Sequence, residues 1–354
     1  MQTTVFVSVL MPVRNEVGFI RRSVGAVLAQ EYRHDRMEVI IADGLSDDGT
    51  RKVIEALRLQ HPNVILIDNP GKIVSTGLNT ALRVAKGEVI IRVDGHCEIA
   101  KDYVSRCVSH LLEDEVDCVG GPLETVGETS TARAIAAAMS STFGVGDSAF
   151  RIGAKDARLV DTVAFPGYRR ETIRRAGPFD EELVRNQDDE YNYRVRKLGG
   201  RILLSPDIQS RYYSRASLRK LWKQYAQYGY WKVRVLQKHP RQMQPRQFVP
   251  ALFVITTFAL LLAALFSFFG KILLVTMLLA YLVLNLAGSI LVAHRTAWRI
   301  LLLVPIAFTI IHLAYGAGFL LGLARFWNRW GDRNSLASDA VFLHDGAPSC
   351  SRAK

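Results

Sequence analysis

Three apolar runs constrain this chain more than any other feature. Val249 to Phe269, Ile272 to Ala293 and Ile300 to Leu323 each exceed twenty residues without a charged side chain. At a rise of about 1.5 Å per residue, such a run reaches about 31 Å, the thickness of a bilayer's hydrocarbon core. The alternative is a helical core buried in a water-soluble protein, and three such runs in succession argue against it. The expectation is therefore about three membrane-spanning helices over 249–325. No cleavable signal peptide is expected, because Val5 to Met11 is short and follows no basic region.

Charge is distributed to match. Of the net +12, the stretch between Asp207 and Asp332 supplies fifteen Lys or Arg and no acid, leaving a net −3 for everything else. Lys232, Arg234, Lys238, Arg241 and Arg246 precede the first run, which places the preceding 248 residues on the cytoplasmic side. Three full crossings put the C-terminus outside, whereas Arg325, Arg329 and Arg333 after the third run favour inside. Pro305 and the glycines of AYGAGFLLG leave a broken or re-entrant third segment as the other reading. Segment 211–248 mixes Tyr and Trp with Lys and Arg. Such interleaving can serve nucleic acid, but with apolar runs following directly it reads as an interfacial helix on an anionic leaflet. Cys97, Cys107, Cys118 and Cys350 form no CxxC pair, so a zinc site is not expected.

The first 207 residues alternate strand-like and helix-like patterns. Strands are expected at 5–11, 37–42, 63–68, 88–93, 116–121 and 201–206. Helical spacing appears at Ile20, Val24, Val27 and Leu28, at Val53, Leu57 and Gln60, over 75–86, and at Val104, Cys107, Val108, Leu111 and Leu112. The alternation implies an α/β fold with a mainly parallel sheet flanked by helices. In such sheets ligands bind beyond the carboxyl ends of the strands, where Asp43 and Asp94 both fall.

Four short stretches carry candidate chemistry, and each has an ordinary alternative. In MPVRNE (11–16), Pro12 can stop a strand and Asn15 can cap a helix. ADGLSDDGT (42–50) can be a capped turn, or a loop that approaches a nucleotide closely. VDGH (93–96) can be a turn, or it can offer oxygen and nitrogen ligands two residues apart to a divalent ion that neutralises a diphosphate. NQDDEYNYRVR (186–196) can be a solvated helical face, with Asp188 and Asn192 on one side and Glu190 and Arg194 paired.

In this order the four stretches resemble the motifs of glycosyltransferase family 2, whose fold is GT-A. PVRNE resembles its P-x-x-N-E, DGLSDDGT its D-D-G-S-T-D-G-T, VDGH its D-x-D and QDD its E-D. Within that family the chain looks most like membrane-anchored enzymes of bacterial exopolysaccharide assembly, such as the succinoglycan glucosyltransferases. The resemblance implies an inverting transfer of a sugar, glucose by the closer likeness, from a UDP-sugar to a lipid-linked saccharide at the bacterial inner membrane, with no nucleic-acid partner. It implies that Pro12, Arg14, Asn15, Glu16, Asp43 and Asp94 bind the donor nucleotide. Asp94 and His96 would hold Mn2+ or Mg2+, and Asp188 would be the catalytic base. Asp189 and Glu190 stand beside that base, and Arg185 and Arg194 are the cations expected to offset them. Gln227, Tyr230 and Trp231 of QYGYW resemble the Q-x-x-R-W of processive synthases and mark a candidate acceptor region.

This sequence departs from the family's pattern at Gly44, where a second Asp is common, at His96 in place of an acid, at Gln187 in place of Glu, and at Tyr230 in place of Arg. The domain division that follows is 1–210 catalytic, 211–248 interfacial, 249–325 membrane-spanning and 326–354 a polar tail. A processive synthase is the alternative, against which three spans are few for a channel. A membrane protein that merely binds nucleotide is the other.

Overall fold

The computed structural model describes residues 5–214 and 217–331. Most of the expected polar tail, with Arg333 and Cys350, lies outside the described residues. The chain divides into two compact units, one of Met1–Leu123 with Gly153–Tyr212 and one of Glu124–Ile152 with Tyr213–Asn334.

The first unit is built on β1 (Val7–Val13) and β2 (Met37–Asp43), in which every residue is buried. Runs apolar on both faces belong in the middle of a parallel sheet covered by helices. The two strands pair in parallel, with β3 (Val64–Asp68) beside β2 and β4 (Val89–Arg92) beside β1. Helices α1 (Ile20–Leu28), α2 (Thr50–Gln60) and α3 (Val74–Val84) connect these strands. Helix α1 buries Ile20, Val24 and Val27, as the spacing predicts, with Leu28 half-buried, whereas α2 buries Leu57 as expected but Ile54 and Thr50 in place of Val53 and Gln60.

Past β4 come β5 (Cys97–Ile99), α4 (Tyr103–Glu113), β6 (Cys118–Gly121) and β7 (Leu123–Val126). The second unit's first segment holds α5 (Ser130–Met139), α6 (Thr142–Val145) and α7 (Ala149–Ile152). The chain re-enters the first unit with β8 (Arg158–Leu159), β9 (Ala164–Arg169), α8 (Arg170–Ala176), α9 (Gln187–Lys197), β10 (Ile202–Leu204) and β11 (Ser210–Tyr213). The eight-stranded sheet has the order β3-β2-β1-β4-β9-β6-β10-β8.

The sheet is mixed rather than simply parallel, because β9 runs antiparallel between β4 and β6. Its sequence, AFPGYR, hides it: proline and glycine in a strand interior argue against a strand. Gly167 serves there because a Cβ would lie 3.3 Å from Cys107 Cβ. A second surprise is Pro12, which does not stop β1. Val13 O accepts from Gly44 N on the β2 side, and Leu10 O accepts from Val93 N on the β4 side. Alternation points the nitrogen of Pro12 toward β4, past Leu10, where the β1–β4 register ends. No donor is needed there.

The second unit continues with α10 (Leu218–Lys238), α11 (Val249–Phe266), α12 (Phe268–Arg295) and α13 (Val304–Arg325). The last three are long and apolar enough to cross a membrane. Helix α13 is unbroken. Pro305 sits in its first turn, where a missing N–H costs nothing. The glycines that suggested a re-entrant loop instead admit neighbouring backbone. A Cβ at Gly318 would lie 2.0 Å from Ala226 O, and one at Gly229 would lie 2.0 Å from Tyr315 O. Both contacts join α13 to α10 and bring the two helix backbones together at glycine. Lys232 and Arg234, expected to face an anionic leaflet, are buried instead, and the Arg234 guanidinium lies 5.7 Å from the Phe326 ring centroid. Tyr230 and Trp231 pack on the same ring, at 5.0 and 5.8 Å between centroids. Together with Gln227 they belong to this second unit.

Candidate active site

All the expected donor, metal and base residues lie in the first unit. The loops after β1 and β2 are tied together by side chains. Asn15 does not cap α1. Its Nδ2 donates to Asp47 Oδ1 at 2.9 Å, its Oδ1 accepts from Asp47 N at 3.1 Å, and its own N donates to Ser46 Oγ at 2.9 Å. Helix α1 starts four residues past Glu16, whose carbonyl accepts from Phe19 N and Ile20 N. Asp43 is fully buried. It accepts from Ser46 Oγ at 2.6 Å and faces Arg51 Nη1 at 3.4 Å, while Arg51 also reaches Asp68 at 2.6 Å. Asp43 thus holds the shape of the loop that follows it.

Asp48 closes the frame by accepting from Val17 N, Thr50 N and Thr50 Oγ1. Burial raises its carboxyl pKa, but those three hydrogen bonds outweigh burial and hold it below the ordinary value. Gly44 has a local reason. A Cβ there would lie 3.1 Å from Arg14 Cβ, so glycine lets the Arg14 stem cross the loop. Asn15, Leu45 and Asn186 all adopt positive φ, at 55°, 56° and 63°. Left-handed residues without a glycine's freedom concentrate at sites where surrounding structure over-determines the loop.

VDGH forms a turn. Cys97 N donates to Asp94 O at 3.3 Å, closing the turn, and Ser23 Oγ of α1 donates to the same oxygen at 2.9 Å. The Asp94 carboxylate is gripped by Arg92, with Nη2 at 2.9 Å and Nε at 3.0 Å from Oδ1. Arg92 Nη1 also lies 3.8 Å from Asp188 Oδ2. Burial disfavours a charge on this guanidinium, but the two carboxylates outweigh it and raise its pKa above the usual arginine value. Asp188 lies in the first turn of α9 and is 43% exposed, so its carboxylate is open to solvent.

Arg92 was the residue missed in reading the sequence. The signal was present: an arginine inside the apolar strand EVIIRV must have a partner if that strand is buried. Arg194, expected to offset charge near Asp188, is instead committed to Glu190 at 2.7 Å. Gln187, beside Asp188, has a buried Oε1 without a hydrogen-bond partner among the described residues.

His96 Nδ1 lies 2.9 Å from Glu16 Oε1, and its ring meets Tyr212 edge-on with centroids 5.0 Å apart. Among the described residues no group of three or more His, Cys, Asp or Glu is arranged to hold a metal ion. The donors on offer at this turn are the Asp94 carboxylate and His96 Nε2. That sparse set fits a hydrated Mg2+ or Mn2+, which is held by one or two protein ligands together with substrate phosphates.

Against this geometry stand the comparisons with known proteins. The family described as Glycosyl transferase family 2 matches residues 8–174. Succinoglycan biosynthesis protein ExoA of Rhizobium meliloti is 36% identical over 207 residues, 57% of this chain and 61% of that protein. The match therefore spans less than two thirds of that relative. Dolichyl N-acetyl-alpha-D-glucosaminyl phosphate 3-beta-D-2,3-diacetamido-2,3-dideoxy-beta-D-glucuronosyltransferase of Methanococcus voltae is 28% identical over 241 residues, 66% of this chain and 74% of that protein. Among solved structures, mannosyltransferase PcManGT from Pyrobaculum calidifontis, in complex with GDP-Man and Mn2+, has a TM-score of 0.57 at 20% identity. That alignment covers 91% of this chain and 88% of the other, and shows a common fold.

Proposed function

From the membership of residues 8–174 in glycosyl transferase family 2, we propose that this chain moves a sugar from a UDP-sugar to a hydroxyl of a lipid-linked saccharide. The setting is bacterial exopolysaccharide assembly at the inner membrane. The sugar proposed is glucose, by the resemblance of the sequence to succinoglycan glucosyltransferases.

The observation that carries this reading is the shared guanidinium of Arg92. It brings the carboxylate of the D-x-D-like motif and the candidate base, about a hundred residues apart in the chain, to one point. A sugar hydroxyl is a weak nucleophile near neutral pH. Asp188 removes its proton as the hydroxyl oxygen bonds to the anomeric carbon, and the bond from that carbon to the diphosphate breaks. A single displacement inverts the centre, so an α-linked donor gives a β-linked product. The nucleotide side is framed by Arg14, Asn15 and Glu16 after β1 and by the loop that Asp43 organises after β2. Asp94 and His96 would hold a divalent ion, and such an ion would supply positive charge to the departing UDP. Three helices able to span a bilayer keep the acceptor's lipid and the site on one membrane.

The test is a donor screen on purified membranes that measures UDP release with and without Mn2+ or Mg2+. UDP release from one sugar nucleotide, abolished by Asp188→Asn, supports the reading. No release from any donor would leave a nucleotide-binding membrane protein. The length of radiolabelled product separates a single transfer from processive synthesis.

A further inference from the structure

We propose that Glu16 is a positioning residue that aims His96 Nε2 at the divalent ion; the inference rests on the metal reading of the Asp94 turn given above. A carboxylate oxygen accepts hydrogen bonds, so the imidazole nitrogen 2.9 Å away, Nδ1, is the one that carries the proton. The neutral ring then has its lone pair on Nε2, which makes no hydrogen bond among the described residues. A metal-binding histidine characteristically hands its other N–H to a carboxylate, which fixes the tautomer and raises the basicity of the ligating nitrogen.

Three further contacts show that the pair is built into the fold. Glu16 N donates to Thr50 Oγ1 at 2.8 Å, so the backbone of Glu16 is tied to the start of α2. Gly95 makes room for the side chain, since a Cβ at that position would lie 3.2 Å from Glu16 Cγ and 2.9 Å from Val13 Cγ1. Tyr212 on β11 packs edge-to-face with the ring, and β11 is itself paired with β5, Tyr212 opposite Cys97. The imidazole is thus fixed by a hydrogen bond on one side and an aromatic edge on another, the condition under which a ligand's direction is set before the ion arrives. The glutamate of the P-x-x-N-E-like motif acts here through His96, and glycine at 95 is required for that reach.

The test is Mn2+ affinity, read by electron paramagnetic resonance of free Mn2+ with the full chain in detergent and UDP present. It needs no turnover. Glu16→Met keeps the packed stem above Gly95 without the acceptor oxygen and should weaken Mn2+ binding about 10- to 100-fold. Glu16→Gln, which still offers a carbonyl oxygen to Nδ1–H, should recover most of that loss. Parent-like Mn2+ affinity in Glu16→Met, alongside a loss in His96→Ala, overturns the role of Glu16 and leaves the metal reading standing. Unchanged affinity in His96→Ala removes the metal reading itself. In the unsubstituted protein, 15N spectra of labelled histidine read the tautomer directly. A proton on Nδ1 of His96 is expected, and one on Nε2 overturns the proposal whatever the variants do.

Discussion

The two compact units solve the burial of charged and polar groups in opposite ways. In the first, acids and arginines enter the interior as pairs: Arg92 with Asp94 and Asp188, Arg194 with Glu190, and Asp43 with Ser46 and Arg51. In the second, the helices from Tyr213 onward contain no acid before Asp332. They make close contact through glycine against backbone, at Gly229, Gly318 and Gly322. Buried arginine there turns to amide and aromatic groups, Arg234 donating to Gln237 Oε1 at 2.7 Å and facing Phe326. The proposed function accounts for the first arrangement, since a site that moves protons and binds an anionic donor needs charges held at defined positions. In the second, α10 and α13 have no acids to pair with and gain contact by bringing their backbones close at glycine.

Four substitutions break or sharpen that contrast, and the first has the largest effect. Asp188→Asn should lower kcat by about 10²–10⁴ while calorimetry shows donor binding retained; equal losses in both would place Asp188 on the donor side instead. Arg92→Met should cost about 3–5 kcal/mol of unfolding free energy, the usual effect of stripping one partner from a buried ion pair. Adding Asp94→Asn should return part of that cost, a coupling that a double-mutant cycle measures in denaturant. Gly318→Val tests the second unit. Overpacking against Ala226 O should cost about 1–3 kcal/mol in thermal unfolding of the detergent-solubilised protein, with UDP affinity unchanged.

The smallest effect belongs to His110, whose Nδ1 lies 2.5 Å from Asp114 and whose Nε2 lies 3.0 Å from Asp207. Burial lowers its pKa, but the two carboxylates outweigh burial and raise it above the ordinary histidine value. The folded value exceeds the unfolded one, so the stabilisation is fully present below about pH 6.5 and is lost as pH rises through the raised value. His110→Asn should remove up to about 1 kcal/mol at low pH and little at high pH. A difference in Tm that grows with pH would contradict this assignment.

Much of the first unit was legible residue by residue. The all-buried runs of β1 and β2 and the apolar stripe of α1 are local periodicities, and local periodicity states which face is covered. The pairing of Glu190 with Arg194 was legible for the same reason, since the helix places them one turn apart. Strand β9 was not, because Pro166 and Gly167 carry the wrong local signal and only its neighbours β4 and β6 make it a strand. Nor was the grouping of 124–152 with the long helices. It rests on contacts such as His312 Nε2 donating to Phe143 O at 2.9 Å, between residues far apart in the chain.

By itself the sequence determined most of the elements, the three apolar runs, and the four motif stretches whose order resembles glycosyl transferase family 2. Tertiary structure decided the partners of charged groups that lie far apart in the chain. Arg92 took Asp188, and Glu16 turned to His96. The physical reason is range. Hydrophobic periodicity is written within a few residues of one element, whereas an ion pair or a ring's tautomer depends on which strands and loops become neighbours, and that is fixed only when the sheet is assembled.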